Sequence, residues 1–198
     1  MLSIMKPKTN IAYRLLISAY AISTFSEGII VPIYAIFVQK IGGDILDAGL
    51  AMGIFLITQG LFTVFFHKLN WNPRFRMLIM IGGWMIWLLG LSLYLVVSSV
   101  GMLFLTQILT AIGNAVADPI FDEELSRCTD KKKGESQWAI FEGGNDLMSG
   151  LAAILGGLVA SAFGFLTLIW TMIIAATISL LTILFYVHRF KKRARLYN

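Results

Sequence analysis

Seven side chains able to carry a proton or to form strong hydrogen bonds sit inside otherwise apolar stretches of the chain: Glu27, Gln59, Gln107, Asn114, Glu142, Asn145 and Asp146. A carboxylate in such surroundings can take up and release a proton, or pair with a cationic solute, because an ionised group in hydrocarbon costs several kcal/mol. Glu27 is the leading candidate. It is followed by Gly28 and precedes Pro32 by five residues, and that proline removes a backbone hydrogen bond and can kink the segment toward a cavity. Glu142 and Asp146 are four residues apart and share one helix face, with Asn145 adjacent. Joint ionisation of two carboxylates so placed is disfavoured, and gate contact and substrate contact remain equally open for them. Asp118, Asp122, Glu123 and Glu124 form an acidic run that should emerge near Arg74 and Arg76.

These groups have to be held by helices that cross a membrane. The chain has 198 residues, 58% apolar and 14% charged, with a mean hydropathy of +0.79, too few charges to cover a soluble surface. Runs long enough to span hydrocarbon occupy residues 15–38, 48–66, 77–97, 100–121, 137–163 and 165–187, so the expected fold is an all-α membrane protein forming a single six-helix transmembrane domain over 1–198. The basic residues fix its sidedness. Fifteen of the sixteen Lys and Arg fall before the first run, between the second and third, between the fourth and fifth, or after the sixth; Lys40 alone falls on the other side. Both termini are therefore expected on the cytoplasmic face of the cell membrane. The charge of +5 reflects this partition, so no nucleic-acid partner is expected.

The third and sixth runs carry no Asp, Glu, Lys, Arg, His, Asn or Gln and are expected against lipid, whereas the other four should surround something polar. Glycines concentrate in the second run (Gly49, Gly53, Gly60) and the fifth (Gly143, Gly144, Gly150, Gly156, Gly157), which should make the tight helix contacts. A weak internal repeat lays SEGIIVPIY on GNAVADPIF, Pro32 on Pro119 and Glu27 on Asn114; GIFLITQG falls on AIFEGGND, with Gln59 on Asn145. One copy runs outward and the other inward, a 3+3 inverted repeat of the kind that places a transporter's binding site near the membrane midplane.

Enzymatic chemistry is poorly supported. No membrane-embedded histidine serves a serine nucleophile, Glu142 and Asp146 lack the companion motifs of an aspartyl protease, and no nucleotide-binding loop of the Walker type is present. The single cysteine, Cys128, belongs to no metal-ligand spacing, and neither a cofactor nor a metal is expected.

The six runs, the charged loop HKLNWNPRFR from His67 to Arg76, the QILTAIGNA segment and the small-residue-rich GLAAILGGLVASAFGF together resemble one half of a major facilitator superfamily transporter. The family's loop usually reads G-x-L-x-D-R-x-G-R-R; here Lys68-Leu69 and Arg76 follow it, while Trp71 stands in place of the aspartate and Gln107 in place of a fourth-span arginine. The resemblance implies secondary transport of a small solute by alternating access, through a parallel homodimer of such halves, with Glu27, Gln107 and Asn114 serving substrate or proton coupling. It also implies that spans one and four line the cavity, that span two of one half packs on span five of the other, and that Arg76 latches onto Asp118 or Asp122 beside Arg74. The competing expectation is a non-transporting membrane subunit or scaffold derived from such a half.

Overall fold

The computed structural model describes residues 6–69, 71–130 and 134–194, with side chains between 11 and 190. Lys131, Lys132, Lys133 and Arg195, counted above in the charge partition, lie outside the described residues, as do the side chains of Lys6, Lys8, Lys191, Lys192 and Arg193. The described chain is helical, without strands, and has five helices long and apolar enough to cross a membrane.

Helix α1 (Lys6–Gly28) ends four residues before Pro32, and a short 3-10 turn, Val31–Ile33, carries the chain into α2 (Tyr34–Lys40). Proline has no N–H to continue the ladder, so one apolar run becomes a broken span from Ile11 to Lys40. Pro119, its counterpart in the repeat, stays inside an unbroken helix; in a membrane bundle neighbouring helices can offset the lost bond. Gly42, with φ 88°, makes the turn into α3 (Ile45–His67). Asp44 caps α3 by accepting from Asp47 N at 2.9 Å, and the Asp47 carboxylate accepts from Asp44 N at 3.0 Å.

Helix α4 (Arg76–Leu93) follows the charged loop, and α5 (Val100–Cys128) begins where the Ser99 hydroxyl accepts from Met102 N at 3.4 Å. Helix α5 extends seven residues past the expected end at 121 because its last turns carry their own ion pairs, Arg127 with Glu123 and Glu124 at i,i+4 and i,i+3.

The last helix, α6 (Gly134–Ala194), is interrupted at Gly164, where φ is 82° and ψ 174°. This is backbone that residues with a Cβ avoid, and the two limbs fold there. Contacts with α1 give their directions. The first limb meets α1 in ascending order: the Tyr13 hydroxyl donates to Gln137 O at 2.6 Å, and Gly28 lies against Ala152. The second meets it in descending order: Ser179 Oγ donates to Ala19 O at 2.5 Å and Ser26 Oγ donates to Met172 O at 2.8 Å, and beyond the break Phe37 of α2 packs on Phe165. The limbs run in opposite directions along α1.

Packing departs from the expectation in two respects. The third run is not a purely lipid-facing helix: α4 buries Met80, Gly83, Trp84, Trp87, Gly90 and Leu91 while leaving Leu78, Met85 and Leu89 exposed. A helix without polar side chains can still supply a packing face. The tight glycine contacts also fall elsewhere. A Cβ on Gly83 would lie 2.8 Å from Ala117 N and Gly113 O, so α4 and α5 approach backbone to backbone. By contrast, a methyl group at Gly49, Gly53 or Gly60 of α3 would meet no atom within 4 Å, and in the first limb of α6 only Gly156 is closely packed.

Candidate functional site

Glu27 sits near the middle of the broken span, and two elements reach it. Trp87 Nε1 donates to its Oε1 at 2.5 Å from α4, and Asn114 Nδ2 donates to the same oxygen at 3.1 Å from α5. Among the described residues nothing donates to Oε2. The two residues that the repeat lays on each other, Glu27 and Asn114, are thus hydrogen-bonded partners. Both line a cavity of about 50 Å³ together with Tyr20, Ser23, Thr24, Trp84, Trp87, Ala117 and Asp118.

A wider pocket of about 470 Å³ lies on the other side of Glu27, toward Gly42. Its walls are mostly apolar, with Ile30, Tyr34, Met52, Phe55, Tyr94 and Met172 among them. There Gln107 Nε2 donates to the Tyr34 hydroxyl at 2.6 Å, and both residues face the pocket. Glu27 lines both spaces.

Asp118, one turn of α5 beyond Asn114, accepts from Gln59 Nε2 at 3.2 Å and so ties α3 to the cavity edge. The expected pairing of Arg76 with Asp118 or Asp122 does not form. Arg76 is ion-paired with Glu123, and Glu123 also accepts from Arg127 Nη2 at 2.5 Å. The reason is depth: Asp118 is held inside the bundle by Gln59, whereas Glu123 reaches the end of α5 where α4 begins. Asp122 is exposed, and the Arg74 side chain is exposed with no ion pair among the described residues. Glu124 accepts from the Tyr186 hydroxyl at 3.2 Å, which joins the second limb of α6 to the same cluster.

Glu142, Asn145 and Asp146 line neither space. Glu142 and Asp146 are exposed on the first limb of α6, and Asn145 is half-buried. The polar interior is therefore built by α1, α3, α4 and α5, not by the four polar runs expected from sequence. Trp84, Trp87, Tyr20 and Tyr34 are contributors that the sequence reading misses. The signal that could have found them is chemical: a buried indole N–H wants an acceptor, and Trp84 and Trp87, three residues apart, present two of them on one helix face.

Arg76 and Glu123 side chains are 26% and 38% exposed, so solvent screens the pair. A double-mutant cycle with Arg76→Gln and Glu123→Gln should give a coupling energy of no more than about 1 kcal/mol; unfolding measurements returning well over twice that would show a desolvated pair instead.

The profile of the Major Facilitator Superfamily matches residues 16–196, nearly the whole chain and every element that builds these two spaces. The chain belongs to the Major Facilitator Superfamily. A search of curated proteins returned no match. Membership makes the chain a multi-pass membrane protein of a transporter family, and within it this superfamily member carries its central carboxylate on the first span, hydrogen-bonded by the third and fourth apolar runs.

Proposed function

We propose that the chain is a half-size secondary transporter that moves a small solute by alternating access, as a parallel homodimer, with Glu27 as the coupling carboxylate. The observation that carries this reading is the position of Glu27 between two spaces, a narrow polar one and a wide apolar one, near the midpoint of its span. A group so placed can face one compartment and then the other when helices rock.

In this reading α6 crosses the membrane twice, since a 61-residue helix would be roughly 90 Å long against about 30 Å of hydrocarbon. Six traverses then form a 3+3 inverted repeat, supported by the opposed limbs at Gly164 and by the Glu27–Asn114 bond between equivalent positions. The Arg76 end is cytoplasmic, because the basic residues gather there, and both termini lie on that side of the cell membrane. Arg76, Glu123 and Arg127 form the latch of this face, with Arg74, Asp118 and Asp122 around it.

Dimerisation is supported by surfaces that lipid would not satisfy. Exposed Glu142 and Asp146 share the first limb of α6 with Gly143, Gly144, Gly150 and Gly157, where a methyl group would touch nothing, and α3 presents Gly49, Gly53 and Gly60 in the same way. Small-residue stripes are where membrane helices approach one another, and α3 of one copy on α6 of the other would cover the carboxylates. The protein mass in nanodiscs, after subtraction of lipid and belt protein, should be twice the 22.0 kDa of one chain. A mass of one chain under conditions that support solute flux would overturn the two-copy arrangement.

A further inference from the structure

The loop that joins α3 to α4 carries cations with no acid to balance them. Lys68 and Arg74 are exposed, neither has an ion pair among the described residues, and the sequence holds no Asp or Glu from residue 48 to residue 117. Glu123, the acid that meets the start of α4, is already held by Arg76 and Arg127. Large apolar side chains stand among the cations and are exposed as well: Leu69 at 44%, Trp71 at 37% and Phe75 at 55%. Trp71 lies against Phe66, with ring centroids 6.1 Å apart, and Phe66 lies against Phe62 and Phe65 at 5.6 Å each, so an aromatic surface runs from the end of α3 into the loop. The Asn72 side chain accepts from Arg74 N at 3.0 Å and turns the chain there, around Pro73.

We propose that this loop docks on an anionic phospholipid: Lys68 and Arg74 hold the headgroup phosphate, while Leu69, Trp71 and Phe75 enter the boundary between headgroups and acyl chains. Both parts of the pattern point to that partner. Water satisfies the charges but leaves the apolar side chains wet, at about 1.5–3 kcal/mol for each Leu or Phe kept out of an apolar phase. Hydrocarbon satisfies the rings but strands the cations. The headgroup layer takes both, since indole rings settle at its apolar edge and each Lys or Arg near an anionic surface contributes about 1 kcal/mol. The loop also stands at the right height, because α3 ends at His67 and α4 starts at Arg76, the limits of two apolar spans. The proposal rests on these helices crossing a membrane and is independent of transport.

The test uses the full chain in phosphatidylcholine nanodiscs into which acyl-brominated phosphatidylglycerol or acyl-brominated phosphatidylcholine is titrated as a fluorescence quencher. The quenching that belongs to Trp71 is the difference between the unaltered chain and Trp71→Phe, and its dependence on lipid fraction gives the relative affinity of the two headgroups at the loop. Phosphatidylglycerol should be preferred about twentyfold at low salt, and Lys68→Gln or Arg74→Gln should each lower that preference about fivefold. The double change should bring the two lipids close to parity, Lys68→Arg should keep the preference, and high salt should remove most of it. Equal quenching by the two lipids would overturn the proposal, as would a preference that survives the double change. An absence of Trp71 quenching by either lipid would also overturn it, and would put the loop in water or beneath a second copy. The headgroup comparison needs only the unaltered chain and Trp71→Phe, so a misfolded charge variant leaves the proposal open to refutation. Both leaflets of a nanodisc carry the same lipids, so the result holds whichever side the loop faces. In the cell, the sidedness proposed above puts it on the cytoplasmic leaflet, where anionic lipids gather.

Discussion

Glu27→Gln should leave the chain folded and lower solute-driven proton movement by at least about a hundredfold, the lower end of what a positioned proton-transfer group contributes. Glutamine keeps the size of the side chain, and its carbonyl oxygen can still accept from Trp87 Nε1 and Asn114 Nδ2, the two bonds that hold Glu27 in place. What it loses is the exchangeable proton and the negative charge. The measurement is acidification or alkalinisation inside dye-loaded proteoliposomes on addition of whichever solute the unaltered protein moves, drawn from a panel of amines, amino acids and sugars. Helix content and size-exclusion behaviour report folding alongside. Proton movement that persists at full strength in the glutamine variant would show that the coupling site is elsewhere.

The largest effect on stability should come from Gly156→Ala. A Cβ at Gly156 would overlap the Ile29 carbonyl oxygen, with the Ile29 side chain also in contact. The obstacle is backbone at the point where α1 ends, so it cannot turn aside as a side-chain tip can, and the first limb of α6 would have to move away from α1. We expect a loss of about 3 kcal/mol, the upper end for overpacking a closely fitted site. Gly82→Ala, in α4 and outside the small-residue stripes, is the matched control. Nothing lies within 4 Å of its would-be methyl, so alanine should be neutral or stabilise by up to about 1 kcal/mol through helix propensity. Reversible unfolding in mixed micelles distinguishes the two; equal stabilities would mean that α1 and α6 are not in close contact.

The helices themselves are legible in the sequence because twenty-residue apolar runs leave little choice of structure in a bilayer. Gly164 and Pro32 mark breaks in the chain at the right places, for reasons of backbone geometry that are local. Partners are harder to read. Glu27 stands out by its charge, and the repeat puts it in register with Asn114, the residue that binds it. Trp87, its other donor, is hidden from a search for polarity in helices that carry polar side chains of the usual kinds, since α4 has none within its apolar run. Glu142 and Asp146 line neither space, and the sequence could not foretell it: their four-residue spacing gives a shared face but not the direction in which that face points, which packing of the first limb of α6 on α1 decides. Arg76 finds Glu123 and not Asp118 because Gln59, from a third helix, holds Asp118 inside the bundle.

Glu123 is held by two guanidinium groups, one on a neighbouring helix and one on its own. If α4 withdraws from α5 when the bundle opens, Arg76 leaves, yet Arg127 travels with Glu123 and keeps its charge matched. Separation then exchanges a shared ion for a private one, and the acid is never stranded. Such a fastening can open and shut many times with a small energy difference between its states.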